Sequence, residues 1–167
     1  MNVINATSQR LGDFFHIIDP HHVDLLPTQH NAEASTGIPS AVFHDNPGTR
    51  TLQIAMVRQH LADAPELIHD QNELGRTVLH EVAYHGTDWL LPILVSAGAD
   101  LEAQDDHGHT PLMEAVIQAQ ATVVERLLNL GADPEFRTKE GYGAIDLAID
   151  AEFQNDWIVR LLTGLPY

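Results

Sequence analysis

Glycine recurs in this chain with a step of 33 residues. Gly75, Gly108 and Gly141 form one series, and Gly98, Gly131 and Gly164 form a second with the same step. The segments between them match in type. GRTVLHEVAYHG answers GHTPLMEAVIQA, and VSAGADLEA answers LNLGADPEF. A fixed period of this size marks a stack of supersecondary units, each burying its apolar face against its neighbours. Stacks usually expose an extended surface for a partner and seldom enclose a catalytic pocket.

Within the period the residues read as paired helices. Thr77 is placed to cap a helix over VLHEVAYH, with Glu81 near its positive end. Val78, Leu79, Val82 and Ala83 make its buried stripe. Gly86 permits a sharp turn into a second helix that buries Leu90, Leu91, Ile93 and Leu94 and stops at Gly98. Pro92 falls inside that second helix, so a lost backbone bond and a bend are expected. Residues 104–136 repeat the plan, with Thr110-Pro111 opening the first helix. Its core is Leu112, Ala115, Val116, Val123, Val124, Leu127 and Leu128. Residues 137–164 repeat it more loosely, with Gly143, Ala144 and Ile145 where Thr-Pro-Leu stood.

Upstream, residues 39–70 read as helix, turn, helix. SAVFHD forms a short helix ended by Asn46-Pro47-Gly48. TLQIAMVRQHLAD forms a longer one with Leu52, Ile54, Ala55, Val57, Leu61 and Ala62 as its apolar set, closed by Pro65. Residues 1–38 carry no repeat. Pro20 and Pro27 exclude a long helix there. Phe14, Phe15, Ile17 and Ile18 suggest a strand or a patch docked on the main body. The expected division is an extension over 1–38 and a repeat domain over 39–167.

These motifs resemble the ankyrin repeat, whose unit has the form D-x-x-G-x-T-P-L-H-x-A-A, then V-V, a leucine run and G-A-D. One unit supplies Asp105, Gly108, Thr110, Pro111, Leu112, Ala115, Val123, Val124, Leu127, Leu128, Gly131, Ala132 and Asp133. The preceding unit supplies Gly75, Thr77, Leu79, His80, Ala83, Gly86, Leu94, Gly98, Ala99 and Asp100. Val78 departs from the family proline and Asp146 from its histidine. The resemblance implies an all-α ankyrin-repeat solenoid of helix-turn-helix units with β-turn fingers. About four units are expected, plus the non-repeat extension. It implies that His80 holds its finger through backbone hydrogen bonds, and that the last unit is a cap with a polar outer face. It places the binding surface on finger tips and on the exposed side of the first helices, at Glu81, Tyr84 and His85, then Glu114, Ile117 and Gln118, then Asp150 and Ala151. The fingers are then His69–Arg76, Ala103–His109 and Phe136–Tyr142.

Charge narrows the partner. The chain carries 24 acidic and eight basic residues, a net charge of −16, and Lys139 is its only lysine. A surface this negative repels phosphate backbones and anionic lipid, so neither nucleic acid nor membrane is expected as a partner. It attracts a basic protein and speeds the encounter. On the implied face, Glu73, Arg76, Glu81, Tyr84, His85, Asp105, Asp106, His107, His109, Glu114, Gln118, Lys139, Tyr142 and Asp150 are the candidate partner-binding residues. Carboxylates steer there and aromatic groups anchor. Lysine at both Asp105 and Asp106 is expected to weaken association without loss of thermal stability.

Catalytic chemistry finds no support in the residues. There is no nucleophile elbow, phosphate loop or H-E-x-x-H, and Asp105-Asp106 reads as an exposed turn with nothing to raise a carboxyl pKa. No cofactor is implied. His16, His21, His22 and His30 match no metal-ligand spacing. With no cysteine, no apolar run long enough to span a bilayer, and no basic start followed by an apolar run, a cytoplasmic protein without disulfides is expected. Small size, one domain and an acidic body resemble a stand-alone stoichiometric inhibitor, monomeric when unbound. An immunity protein neutralising a basic toxin fits best. The alternatives are an adaptor or signalling inhibitor that masks a basic segment, and a metal-binding role for the His-rich extension.

Overall fold

The structure, a computed structural model, describes residues 47–150 and 156–164. The Phe14–Ile18 patch, the N-terminal histidines and the SAVFHD helix lie outside the described residues.

Helix α1 spans Pro47–Asp63. It begins at Pro47 and not at Thr51, because proline is at home in a first turn, where its missing N–H had no partner anyway. Its buried stripe also differs from the expected one. Gln53, Val57 and Leu61 are buried, whereas Leu52, Ala55 and Ala62 are exposed. A four-residue step keeps one face of a helix inward, so Gln53 takes an inner place that composition alone would give to Leu52. A 3₁₀ turn over Pro65–Ile68 follows and buries Leu67 and Ile68.

Three helix pairs then stack. The inner helices are α2 (Val78–His85), α4 (Pro111–Ile117) and α6 (Ala144–Asp150). The outer ones are α3 (Leu91–Ser96), α5 (Ala121–Leu130) and α7 (Asp156–Thr163). Each inner helix packs on the next, and α5 packs on both α3 and α7. A continuous apolar core runs through the stack, from Val57 and Leu61 through Leu79, Leu91, Leu112 and Leu127 to Ile158 and Leu162. Among the described residues the only extended pairing is an isolated bridge between Arg137 and Gly143.

The expected bend at Pro92 does not occur. The outer segment opens as a 3₁₀ turn over Asp88–Leu90, and α3 starts only at Leu91. Pro92 therefore occupies the first turn, where no donor is lost. At the far ends of α3 and α5, Ala99 N–H bonds Leu94 C=O and Ala132 N–H bonds Leu127 C=O, each at 3.0 Å. That closure needs a left-handed residue, supplied by Gly98 (φ +97°) and Gly131 (φ +101°). The turn between paired helices is also left-handed. Gly86 (φ +75°) fills it in the first unit and Ala119 (φ +54°) in the second.

The third unit improvises. Gly143 brings no capping side chain, and Asp146 compensates: its Oδ2 accepts Gly143 N–H at 2.8 Å. That bond holds the Asp146 carboxyl below its usual range, with Arg137 3.0 Å away assisting. A polar outer surface is present at Asp156, Arg160 and Thr163. Ile149 (59% exposed) and Trp157 (40%) depart from it. Val116, one period before Ile149, is buried against α6. No described helix pair follows α6 and α7 to do the same for Ile149.

Candidate functional site

The fingers carry the most regular chemistry in the molecule. Three positions 33 residues apart, Asn72, Asp105 and Thr138, fold each loop onto itself. Asn72 Oδ1 accepts the N–H groups of Leu74 and Arg76, and Asp105 Oδ1 those of His107 and His109, at 2.8–3.0 Å. Thr138 Oγ1 accepts Tyr142 N–H at 3.3 Å. Successive fingers are tied by Asp106 N–H to Leu74 C=O (3.1 Å) and Gln71 Nε2 to Gln104 C=O (3.0 Å). The approach is closest at Gly75, where an added Cβ would lie 2.7 Å from the Asp106 backbone nitrogen.

His80 links helix to finger as the resemblance implied. Its Nδ1 accepts Thr77 N–H at 3.1 Å, which places the ring proton on Nε2, and Nε2 donates to His109 C=O at 3.0 Å. Burial drives its pKa down, which favours the neutral ring.

Three expected partner-binding residues turn inward. The Asp105 side chain is fully buried and that of Glu114 is 3% exposed. Arg76 reaches across from the preceding finger, its Nη2 2.6 Å from Glu114 Oε1 and its Nε 3.9 Å from Asp105 Oδ2. The expected exposed Asp105-Asp106 pair is thus half wrong: Asp106 is exposed and Asp105 is the buried staple of its finger. Lysine at Asp105 would forfeit two finger hydrogen bonds and a buried charge partner, so that change is not expected to be neutral for stability. Burial raises the Glu114 carboxyl above its usual range, against the lowering pull of Arg76. Asp105, His109 and Glu114 bring ligand-type atoms within 4.8 Å of one another. Arg76 already stands there as the cation.

The remaining candidates sort by exposure. Glu73, Asp106, His107 and Lys139 are exposed at the finger tips, and Tyr142 is exposed at the base of the third finger. His107 and His109 rings lie 5.8 Å apart. Glu81 is mostly covered. Its Oε1 accepts Asn72 Nδ2 at 3.0 Å and its Oε2 lies 3.6 Å from His85. Tyr84, 36% exposed, meets the edge of His85 at 5.0 Å, with the Arg76 guanidinium 5.1 Å from its ring centre. Gln118 is half-buried, and the Asp150 side chain and Ala151 lie outside what the structure describes.

Two exposed apolar groups join the candidates: Ile117, one of the inner-helix positions that the resemblance implies, and Leu74, which was not singled out from the sequence. Ile117 (38% exposed) holds the place of Tyr84 one unit later, and Leu74 (52% exposed) sits beside Glu73 at the first tip. For Leu74 a signal was available: His107 and Glu140 align with it, so an apolar side chain there has no packing reason. A shallow open cleft of about 500 Å³ lies between Arg137, Tyr142, Asp146 and Ile149. Its charged pair is already closed on itself.

A family profile described as "Ankyrin repeats (3 copies)" matches residues 40–138 and 79–165. The chain belongs to the ankyrin-repeat family. Its ankyrin units resemble those of Ankyrin repeat and SAM domain-containing protein 6 of Mus musculus, at 35% identity over 111 residues. That match covers 66% of this chain and 13% of the mouse protein. BCL-6 corepressor-like protein 1 of Homo sapiens matches at 34% over 86 residues, 52% of this chain and 5% of the human one. NF-kappa-B inhibitor delta of Mus musculus matches at 32% over 91 residues, 53% of this chain and 28% of the relative. The chain thus spans a small part of each relative. Ankyrin units are protein-interaction modules. No described helix is long and apolar enough to cross a membrane.

Proposed function

We propose that this ankyrin domain is a stoichiometric inhibitor that holds a basic protein against its finger tips and inner helices, as an immunity protein holds a toxin or effector. Exposed carboxylates at successive tips carry the reading: Glu73 on the first, Asp106 on the second and Glu140 on the third. The body behind them adds to the field, with 19 acidic residues against five basic ones from Asp63 onward. Such a field speeds association and fixes the sign of the partner. The proposal includes a cytoplasmic, monomeric chain whose recognition domain spans 39–167, with 1–38 as an extension. A second reading is supported by the similarity to a protein named as an inhibitor of NF-kappa-B: masking a basic segment of a regulatory protein.

The test is affinity capture from source-cell lysate with wild type and an Asp106→Lys/Glu73→Lys variant, read by mass spectrometry. One basic protein held in equimolar amount by wild type alone supports the inhibitor. A set of weaker partners, shared by both baits, refutes the assigned face.

A further inference from the structure

We infer that the partner element seated on this face is a basic amphipathic α-helix lying along the stacking direction, with apolar side chains seven residues apart over Tyr84 and Ile117. The inference rests on the protein-binding reading above and specifies what is bound.

Tyr84 and Ile117 hold one position on consecutive inner helices, and both are more than a third exposed. The apolar residues that precede them on α2 and α4, such as Val82 and Val116, are buried. Two large apolar groups therefore face outward in register, one unit apart. Tyr84 is also held in place, by the edge of His85 at 5.0 Å and the guanidinium of Arg76 at 5.1 Å. An aromatic group fixed before binding loses little freedom when it becomes an anchor.

Spacing selects the shape of the partner. Adjacent packed helices sit about 8–10 Å apart. Side chains at i and i+7 of a helix lie on one face about 10.5 Å apart, at 1.5 Å per residue. A strand offers same-face residues at roughly 6.6 or 13 Å, and its residue at about 10 Å points the other way. A helix fits where a strand does not.

Charge selects its chemistry. On the same implied face, Glu73 and Asp106 present exposed carboxylates at the finger tips. The nearby cation, Arg76, is consumed by Glu114 and Asp105. Lysine or arginine along one flank of the helix meets those tips while its apolar face covers Tyr84 and Ile117.

Two synthetic 18-residue peptides of identical leucine, lysine and alanine content test this on the full chain by fluorescence anisotropy. In one, leucines recur at i, i+7 and i+14. In the other, they are moved to opposite sides of the helix. The first is expected to bind at least tenfold tighter and to gain helical circular dichroism on binding. Tyr84→Ala and Ile117→Lys are each expected to reduce that affinity tenfold or more. Ile117→Lys keeps the fold intact because the side chain it replaces is exposed, and an unchanged Tm confirms it. Equal binding of both peptides, no binding of either, or insensitivity to Ile117→Lys overturns the inference. If lysate capture still depends on Asp106 while the peptides fail, only the helix is wrong. If capture fails as well, the acidic-face reading falls with it.

Discussion

Removing Arg76 tests whether the interior of the first two units is an electrostatic joint or merely part of a binding face. Two carboxylates, of Asp105 and Glu114, share this one guanidinium, and their side chains are 0% and 3% exposed. Taking one partner from a buried pair costs about 3–5 kcal/mol, because the remaining charge stays in a poor solvent. The Arg76 side chain is 17% exposed, so water reaches the joint and the lower end, about 3 kcal/mol, is expected. For a chain of this size each kcal/mol moves Tm by about 2–4 °C, so Arg76→Ala should melt roughly 6–12 °C lower. Glu114→Gln should behave differently. It removes the excess negative charge while keeping an oxygen for Arg76, so about 1 kcal/mol or less is expected. The double variant should be more stable than the sum of the two losses implies. The pH dependence has a defined sign. The folded Glu114 carboxyl lies above its unfolded value of 4.5. The stability it contributes is full below that value and lost as pH rises through the folded one. Without Arg76 the carboxyl rises further, so the Arg76→Ala penalty should be larger at pH 8 than at pH 5. Urea titrations of the four proteins at both values check this. A Glu114→Gln loss as large as that of Arg76→Ala, or strict additivity, would mean that the three charges do not form one coupled joint.

Further outcomes are expected at the finger and its histidine. Gly75→Ala and Gly98→Ala both force a left-handed alanine, about 1–2 kcal/mol each. Only at Gly75 does the new Cβ meet backbone, so its thermal shift should clearly exceed that of Gly98→Ala. His80 is buried with a folded pKa below its usual 6.5. The unfolded chain therefore takes up the proton first, and wild-type stability should fall as pH drops below about 6.5. A His80→Gln variant should be less stable at pH 8 but show a flatter acid limb in melts between pH 7 and 5.

The architecture was legible because its cause is periodic. Glycine at 75, 108 and 141, threonine at 77 and 110, and the leucines and valines between them obey local rules of turn, cap and helix face. Those rules act within about ten residues and so can be read from a single chain. The same locality explains the displaced start of α1 and the harmless Pro92, where a residue proper to a helix's first turn was read as a terminator or an interior break. Stacking of the units, by contrast, settles which polar groups stay exposed. Arg76 and Glu114 are 38 positions apart, and nothing in their neighbourhoods announces that they meet at 2.6 Å. Their pairing with Asp105 converts three apparent surface charges into an internal joint. Tyr84, Ile117 and Leu74 stay exposed. Local propensity comes from neighbours along the chain. The burial of a charge depends on what the next unit brings against it, and only stacking supplies that.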